Sequence, residues 1–382
     1  MRKLVTVLGA TGIVGSKALE IVRKNQEKFH VIGISGHSNI SLLVRFALEF
    51  APKYVVVSNL LLRSELEQKL NNVDVEILCG EEGLAFLASQ KTDILIAAIT
   101  GFAGFEPIFR AINSGTDIAL ANKEALVAGG HLLMPLAKKK GVNIIPVDSE
   151  HNAIFQCMMG QNWSDVDNIT LTASGGPFLS MNSNETQKIP PSEALKHPTW
   201  SMGAKISIDS ATMMNKGLET IEAAWLFNIG KEKISAVIHP QSIVHGIVQF
   251  KDKSIISHMA PTDMKVPISQ AMAWPERVKI EIKEIDFLEV ESFNFLEIDA
   301  SKFPCFELAY QLIEEDPCYS VALNAANEIA VHLYLDHKLE FGDIYTLVAK
   351  TIDMIEMTNL DDYQSIIDYD RYARNIAISM KF

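Results

Sequence analysis

K-L-V-T-V-L-G-A-T-G-I-V-G, at positions 3–15, is the stretch on which the fold turns. The run begins apolar and β-branched, as a strand covered on both faces does, and then meets Gly9, Gly12 and Gly15 before an amphipathic segment. Glycine lets the backbone turn sharply and approach a pyrophosphate, which then rests on the free N–H groups at a helix N-terminus. The spacing G-x-x-G-x-x-G is not the usual G-x-G-x-x-G, but its place between strand and helix is the context such a site requires. Three glycines serving only a tight turn are the competing reading.

Outward from this turn, six more apolar runs follow up to residue 147: V-I-G-I-S, Y-V-V-V-S, V-E-I-L, I-L-I-A-A-I, I-A-L-A and V-N-I-I-P-V. Helical patterns separate them, which predicts a doubly wound (Rossmann-like) parallel sheet over residues 1–147. The second strand ends in S-G-H-S-N, where an NAD site would place an acid on the ribose 2′-hydroxyl. Gly36, His37, Ser38 and Asn39 offer no acid, so NADP is preferred, although no Arg or Lys stands in that turn to meet a 2′-phosphate.

Composition narrows the partners. The 382 residues predict two or three domains, and 48% hydrophobic with 21% charged residues describes a globular chain. A net charge of −13 argues against nucleic acid or an anionic membrane, which need a concentrated basic surface. Four scattered cysteines without a C-x-x-C pair fit free thiols in a reducing compartment. The apolar stretch at 94–105 is too short to span a bilayer. The opening M-R-K and apolar run superficially resemble a signal peptide, but a strand entering a glycine turn accounts for them better, and a cytoplasmic location without a targeting extension is expected.

Beyond residue 147 the rhythm changes. Residues 148–275 read as a central α+β catalytic domain: a strand N-I-T-L-T, a Ser/Asn/Pro-rich loop over 174–199, a strand K-I-S-I-D at 205–209, a helix from about 211 to 227, and a hairpin of S-I-V-H-G-I-V-Q-F with S-I-I-S-H-M. A charged connecting arm, 276–302, leads to a C-terminal helix bundle, 303–382.

Two acids, Asp148 and Glu150, flank Ser149 just past the last strand of the first domain, the edge where open α/β sheets bind ligands. In an extended segment both carboxylates face one side and call for a cation or a shared proton. Helix capping by Asp148 or Ser149 is the alternative. Against it stands K-I-S-I-D-S-A-T-M-M-N-K-G-L-E at 205–219, which gathers Ser210, Asn215, Lys216 and Glu219 at a helix start. Hydroxyl, amide and ammonium suit a phosphate, and a third carboxylate completes an all-oxygen site for Mg²⁺ or Mn²⁺. His151, His239, His245 and His258 are read as local hydrogen-bonding or strand residues, since those ions prefer oxygen.

These segments, together with T-A-S-G-G-P-F, H-P-T-W-S-M-G, H-P-Q-S-I-V-H, L-A-N-K-E and A-L-N-A-A-N-E, resemble the 1-deoxy-D-xylulose 5-phosphate reductoisomerase family from end to end. The resemblance implies rearrangement of that sugar phosphate and reduction of the aldehyde by NADPH to 2-C-methyl-D-erythritol 4-phosphate, in non-mevalonate isoprenoid synthesis. It implies Asp148, Glu150 and Glu219 as ligands of a divalent metal that polarises the substrate's carbonyl. Ser149, Lys123, Ser174, Ser210, Asn215, Lys216 and His197 match substrate positions. Trp200 and Met202 match a lid within a mobile loop, 174–203. Thr11, Gly12, Ile13, Val14, Asn122, Glu124 and Gly203 match NADPH contacts, and a homodimer is implied. The chain departs from the family's G-S-T-G-S-I-G at Ala10 and Ile13, shifting pyrophosphate binding to backbone amides, and has His37 where glycine is usual.

Two rivals remain on sequence. A semialdehyde-type NADP dehydrogenase shares the G-A-T-G-x-V-G opening but needs an activated cysteine, for which Cys157 is the nearest candidate. A non-catalytic NADP-binding sensor would have no use for three convergent acids.

Overall fold

The computed structural model describes residues 2–200 and 202–381. Ser201, inside the expected lid, lies outside the described residues. The chain divides into two compact units: one of the residues up to Ala125, Leu133–Asn152 and Asp263–Lys283, the other of Leu126–Leu132, Ala153–Thr262 and the residues from Glu284 onward.

In the first unit the seven expected strands form among the described residues: β1 (Lys3–Leu8), β2 (Phe29–Gly36), β3 (Tyr54–Val57), β4 (Glu76–Cys79), β5 (Ile94–Ala97), β6 (Asp117–Leu120) and β7 (Ile144–Pro146). Their order is β4-β3-β2-β1-β5-β6-β7, parallel throughout, so the direction of winding reverses between β1 and β5. The central strands β3 and β5 are buried along their whole length, which explains their uninterrupted Val/Ile/Leu runs. The helix Ile13–Lys24 buries Gly15, Ala18, Leu19, Ile21 and Val22, one apolar stripe at helical spacing.

The helix Lys265–Ala273 packs on Ile13–Lys24 within this unit. Lys3 donates to the carbonyls of Met272 and Trp274 at 3.1 and 2.9 Å, and Lys17 pairs with Asp263 at 2.9 Å. Residues 263–275, expected in the central domain, thus group with the first unit, and the division falls after Lys283, inside the expected arm 276–302. Local periodicity holds no information about a bond between Lys3 and residues some 270 positions away.

The second unit holds β8 (Val166–Ala173), β9 (Ile234–Ile238), β10 (Val244–Phe250) and β11 (Ile255–Met259) in the order β11-β10-β8-β9. β10 and β11 form the expected antiparallel hairpin. Ile169, Leu171, Ile234 and Val248 from this sheet pack on Ala223 and Phe227 of the helix Met214–Phe227. The C-terminal helices Pro304–Gln311, Pro317–Leu335, Asp343–Met354 and Tyr363–Ser379 share a core that includes Ala322, Ala326, Leu347 and Ala373.

K-I-S-I-D is not a strand: residues Ala204–Ala211 form a helix. Its alternation fits period two, but Lys205 and Asp209 pair at 2.8 Å across one helical turn, and Ile208 with Ala211 enters the core of the C-terminal helices. Five alternating residues cannot distinguish the two periods once both faces are covered. Among the described residues no helix is long and apolar enough to cross a membrane.

Candidate functional site

Each unit carries its own set of polar groups. In the first, Gly9 has φ +72°, and a Cβ there would meet the Ala98 carbonyl oxygen at 2.4 Å. At Gly15 a Cβ would meet the Gly9 oxygen at 2.3 Å, so both glycines are needed for the turn itself. Gly12 differs. It is exposed, has negative φ and would bring a Cβ no nearer than 3.3 Å to that oxygen. It is also the N-cap of Ile13–Lys24, a helix without a side-chain cap or an acid in its first turn. This uncapped, positively polarised helix end fits a pyrophosphate. Ile13 is 42% exposed beside it, and Thr11 lies against Gly36.

The ends of β2 and β6 are more committed than the sequence suggests. The Asn39 Oδ1 accepts from the Leu42 N–H at 3.1 Å as a helix cap, and the His37 Nδ1 bonds the Ser58 hydroxyl at 2.8 Å. Ser38 is exposed. Asn122 is buried, donating to the carbonyls of Ile99 and Gly101 and accepting from Ala125 N–H. A cofactor contact by Asn122 must therefore use its backbone. Glu124 is buried in the first turn of the same helix.

Asp148 follows β7, and the helix Ser149–Cys157 begins at once. The segment is thus not extended, and the face-sharing argument from strand periodicity does not apply; a turn of backbone brings the acids together instead. Asn152 N–H donates to the Asp148 carbonyl at 2.9 Å, and the Asn152 amide holds Pro146 O and Gln270 Oε1 at 2.8 and 2.7 Å. Ser149 donates to Glu150, and Lys123, 5% exposed, forms an ion pair with Asp148. Burial would raise the Asp148 carboxyl, but the Lys123 ammonium, then His151 and the hydrogen bond with Glu150, outweigh it and hold the group well below the usual carboxylate range. Two carboxyl groups bonded to one another need a shared proton or a cation, and a hard divalent cation suits them.

In the second unit Met213 adopts a left-handed φ of +60° between the helices Ala204–Ala211 and Met214–Phe227, placing Ser210 before the reversal and Asn215, Lys216 and Glu219 after it. Lys216 and Glu219 are 2% and 1% exposed and form an ion pair, while Asn215 Nδ2 donates to the other oxygen of Glu219. A cation and a carboxylate this deeply buried must be compensated. An anion at Lys216 and a cation at Glu219 would meet the same requirement by exchange.

Within 174–203, Ser174 bonds His197 Nε2 at 2.9 Å, and His197 Nδ1 accepts from the backbone N–H of Thr199 and Trp200 at 3.3 and 3.0 Å. These bonds assign the proton to Nε2, and burial keeps the ring neutral by pushing it down to about 4. The Trp200 ring meets His245 edge-on at 6.1 Å, Met202 is half-buried, and Gly203 caps Ala204–Ala211. Two single turns, Ser183–Thr186 and Pro191–Ala194, interrupt the expected loop.

Sequence reasoning passed over Asp209 and Asn327, a buried hydrogen-bonded pair; their signal was membership in the motifs I-D-S and A-L-N-A-A-N-E. Asn152 likewise lay inside V-D-S-E-H-N. Cys157 is buried, and burial raises its thiol to about 11, the reverse of what a nucleophile needs.

Several known proteins are similar to this chain over nearly its whole length. A profile described as 1-deoxy-D-xylulose 5-phosphate reductoisomerase matches residues 5–130, one for the C-terminal domain of that enzyme matches 144–227, and a second C-terminal profile matches 259–376. The chain is 44% identical to the 1-deoxy-D-xylulose 5-phosphate reductoisomerase of Chlorobaculum tepidum, covering 98% of each chain, and 43% identical to that of Trichlorobacter lovleyi, covering 98% of this chain and 96% of the relative. Among solved structures, DOX-P reductoisomerase in complex with NADPH, fosmidomycin and magnesium is similar with a TM-score of 0.94 at 39% identity, over 99% of this chain and 98% of that one. The Zymomonas mobilis enzyme in complex with NADPH gives a TM-score of 0.92 at 38% identity, with the same coverage. On these grounds the chain belongs to the 1-deoxy-D-xylulose 5-phosphate reductoisomerase family.

Proposed function

We propose that this protein converts 1-deoxy-D-xylulose 5-phosphate into 2-C-methyl-D-erythritol 4-phosphate with NADPH and a divalent metal, as an NADP-dependent oxidoreductase. The observation that carries the reading is Glu219, a carboxylate 1% exposed that shares one helix with Asn215 and Lys216. Nothing in the fold alone requires so costly a burial of charge.

Asp148, Glu150 and Glu219 would hold the metal, with Mg²⁺ and Mn²⁺ both suited to carboxylate oxygens. When bound, the metal polarises the substrate's carbonyl and neutralises charge that develops on oxygen. Lys216, Asn215 and Ser210 would bind the phosphate, the first by charge and the others by hydrogen bonds. Ser149 and Lys123 would contact the substrate beside the acids. Ser174 and His197 tie the start of the 174–203 loop to its far end, a connection suited to a lid that excludes water, with Trp200 as its apolar cover. NADPH supplies the hydride; the amides around Gly12, with Thr11, Ile13 and Val14, would seat its pyrophosphate, and Gly36, His37, Ser38 and Asn39 its adenosine end. Asn122, Glu124 and Gly203 are assigned to the same cofactor.

A homodimer in the cytoplasm completes the reading. Ile255 and Met259 on β11, with Phe287, Leu288, Phe293 and Phe295 downstream, are exposed apolar residues available to a second copy. β11 is also an edge strand of its sheet.

The test is NADPH oxidation by the purified protein with 1-deoxy-D-xylulose 5-phosphate, with and without EDTA. Turnover should cease in the chelator and return with Mg²⁺ or Mn²⁺, and Asp148→Asn should lower it by about a hundredfold or more. Turnover indifferent to EDTA, or an Asp148→Asn variant of full activity, would sink the assignment.

A further inference from the structure

We infer that Asp209, anchored by Asn327 and Lys205, is a positioning residue for substrate-phosphate binding, acting through its neighbour Ser210. The inference rests on the reading above that Ser210, Asn215 and Lys216 bind the phosphate.

Asp209 is 1% exposed, and each of its carboxylate oxygens has a partner. Asn327 Nδ2 donates to Oδ1 at 2.8 Å, and Lys205 Nζ pairs with Oδ2 at 2.8 Å. Asn327 is fully buried in the middle of Pro317–Leu335, a helix packed between Asp343–Met354 and Tyr363–Ser379 and capped by Asp316. Its own Oδ1 is buried with no hydrogen-bond partner among the described residues. A core position that leaves an amide oxygen unsatisfied in order to reach one carboxylate is costly as packing alone; an apolar residue would fill it without that penalty.

Asp209 lies where this anchoring matters. The next residue is Ser210, whose carbonyl oxygen would meet a Cβ on Gly176 at 2.6 Å, so the chain around Ser210 is gripped on a second side. Thr212 Oγ1 then binds the carbonyls of Ile208 and Asp209 at 3.1 and 3.2 Å, Met213 turns left-handed, and Met214–Phe227 begins. Ser210 thus ends one helix, Asn215 and Lys216 start the next, and Asp209 ties the first helix to the C-terminal bundle. Loss of this tie leaves Lys216 and Glu219 paired but lets Ser210 move, and displacements of about 1 Å in a positioning group cost up to roughly a hundredfold.

The experiment uses the full-length enzyme with saturating NADPH and metal, comparing Asp209→Asn, Asn327→Leu, Lys216→Gln and wild type. Inorganic phosphate is titrated as a competitive inhibitor, and KM for substrate and for NADPH are measured beside it. Asp209→Asn and Asn327→Leu should raise the inhibition constant of phosphate and the substrate KM about tenfold, with the KM of NADPH within about twofold of wild type. Loss of folded enzyme lowers the maximal rate and leaves KM unchanged, whereas a general distortion of the site moves both KM values together, and that second pattern overturns the inference. So does a phosphate constant unchanged in the Asp209 and Asn327 variants but raised in Lys216→Gln. If Lys216→Gln itself leaves phosphate inhibition unchanged, the phosphate-site reading fails instead. Should Asp209→Asn not fold, Lys205→Met removes the other partner and is read by the same comparison.

Discussion

Gly12 and Gly15 stand three residues apart in one turn and do different work. A Cβ at Gly15 would overlap the Gly9 carbonyl, whereas one at Gly12 would press that oxygen only lightly and point toward the exposed helix end. Gly15→Ala should therefore destabilise the first unit by about 2 kcal/mol or more through overpacking, seen as a lower melting temperature. Gly12→Ala should melt within a degree or two of wild type but bind NADPH about tenfold more weakly, read by fluorescence titration of the cofactor. Equal losses of stability in the two variants would show that Gly12 too is a packing glycine. The acids obey the same logic of neighbours: Asp148 has Lys123 and Glu219 has Lys216, so each buried carboxylate sits beside a cation of its own unit.

At the scale of elements, β10 carries a pH-sensitive core position. His245 is 4% exposed and bonds the Ala260 carbonyl at 3.1 Å. Burial, aided by His258 and then by the positive charge of Lys216, outweighs the Ala260 bond and pushes its ring down to about 4. The folded protein keeps this imidazole neutral, while the unfolded chain takes up a proton near the ordinary value of about 6.5. Stability is therefore complete above that value and falls as pH drops from about 6.5 to 4, by a total on the order of 3 kcal/mol. Urea midpoints of wild type at about pH 7.5 and pH 5 should differ more than those of His245→Gln; parallel shifts in the two proteins would exclude His245 as the source. The helix Ala204–Ala211 shows how an element can be misread: its residues alternate, yet an i,i+4 ion pair and burial on several sides select the helix.

Over the molecule as a whole, the C-terminal helices are joined by charge as well as by their core. Arg374 reaches Asp370 and Glu328 at 2.7 Å each, linking Tyr363–Ser379 to Pro317–Leu335. Arg374→Met leaves two largely buried carboxylates without their cation and should cost about 3 kcal/mol. Limited proteolysis should then cut within residues 303–381 earlier than in wild type, while NADPH affinity, for which no residue of these two helices is proposed, should stay unchanged. Uniform proteolytic resistance would show that the apolar core suffices.

The legible part was what neighbouring residues decide. A strand, a glycine turn and a helix must be contiguous, so K-L-V-T-V-L-G-A-T-G-I-V-G announced the first sheet, and six further apolar runs supplied its strands. The candidate acids and phosphate-binding groups were legible because charge within apolar surroundings requires compensation wherever the chain goes. Bonds between distant positions were not legible: Lys3 on Met272, Asn152 on Gln270, and Asp209 on Asn327. These pairs share no period, and their partners become neighbours only when helices and strands pack. By itself the sequence determined which groups had to be charged, apolar or without a side chain; tertiary structure decided which acceptor each distant donor serves, because hydrogen bonding depends on distance in space and not along the chain.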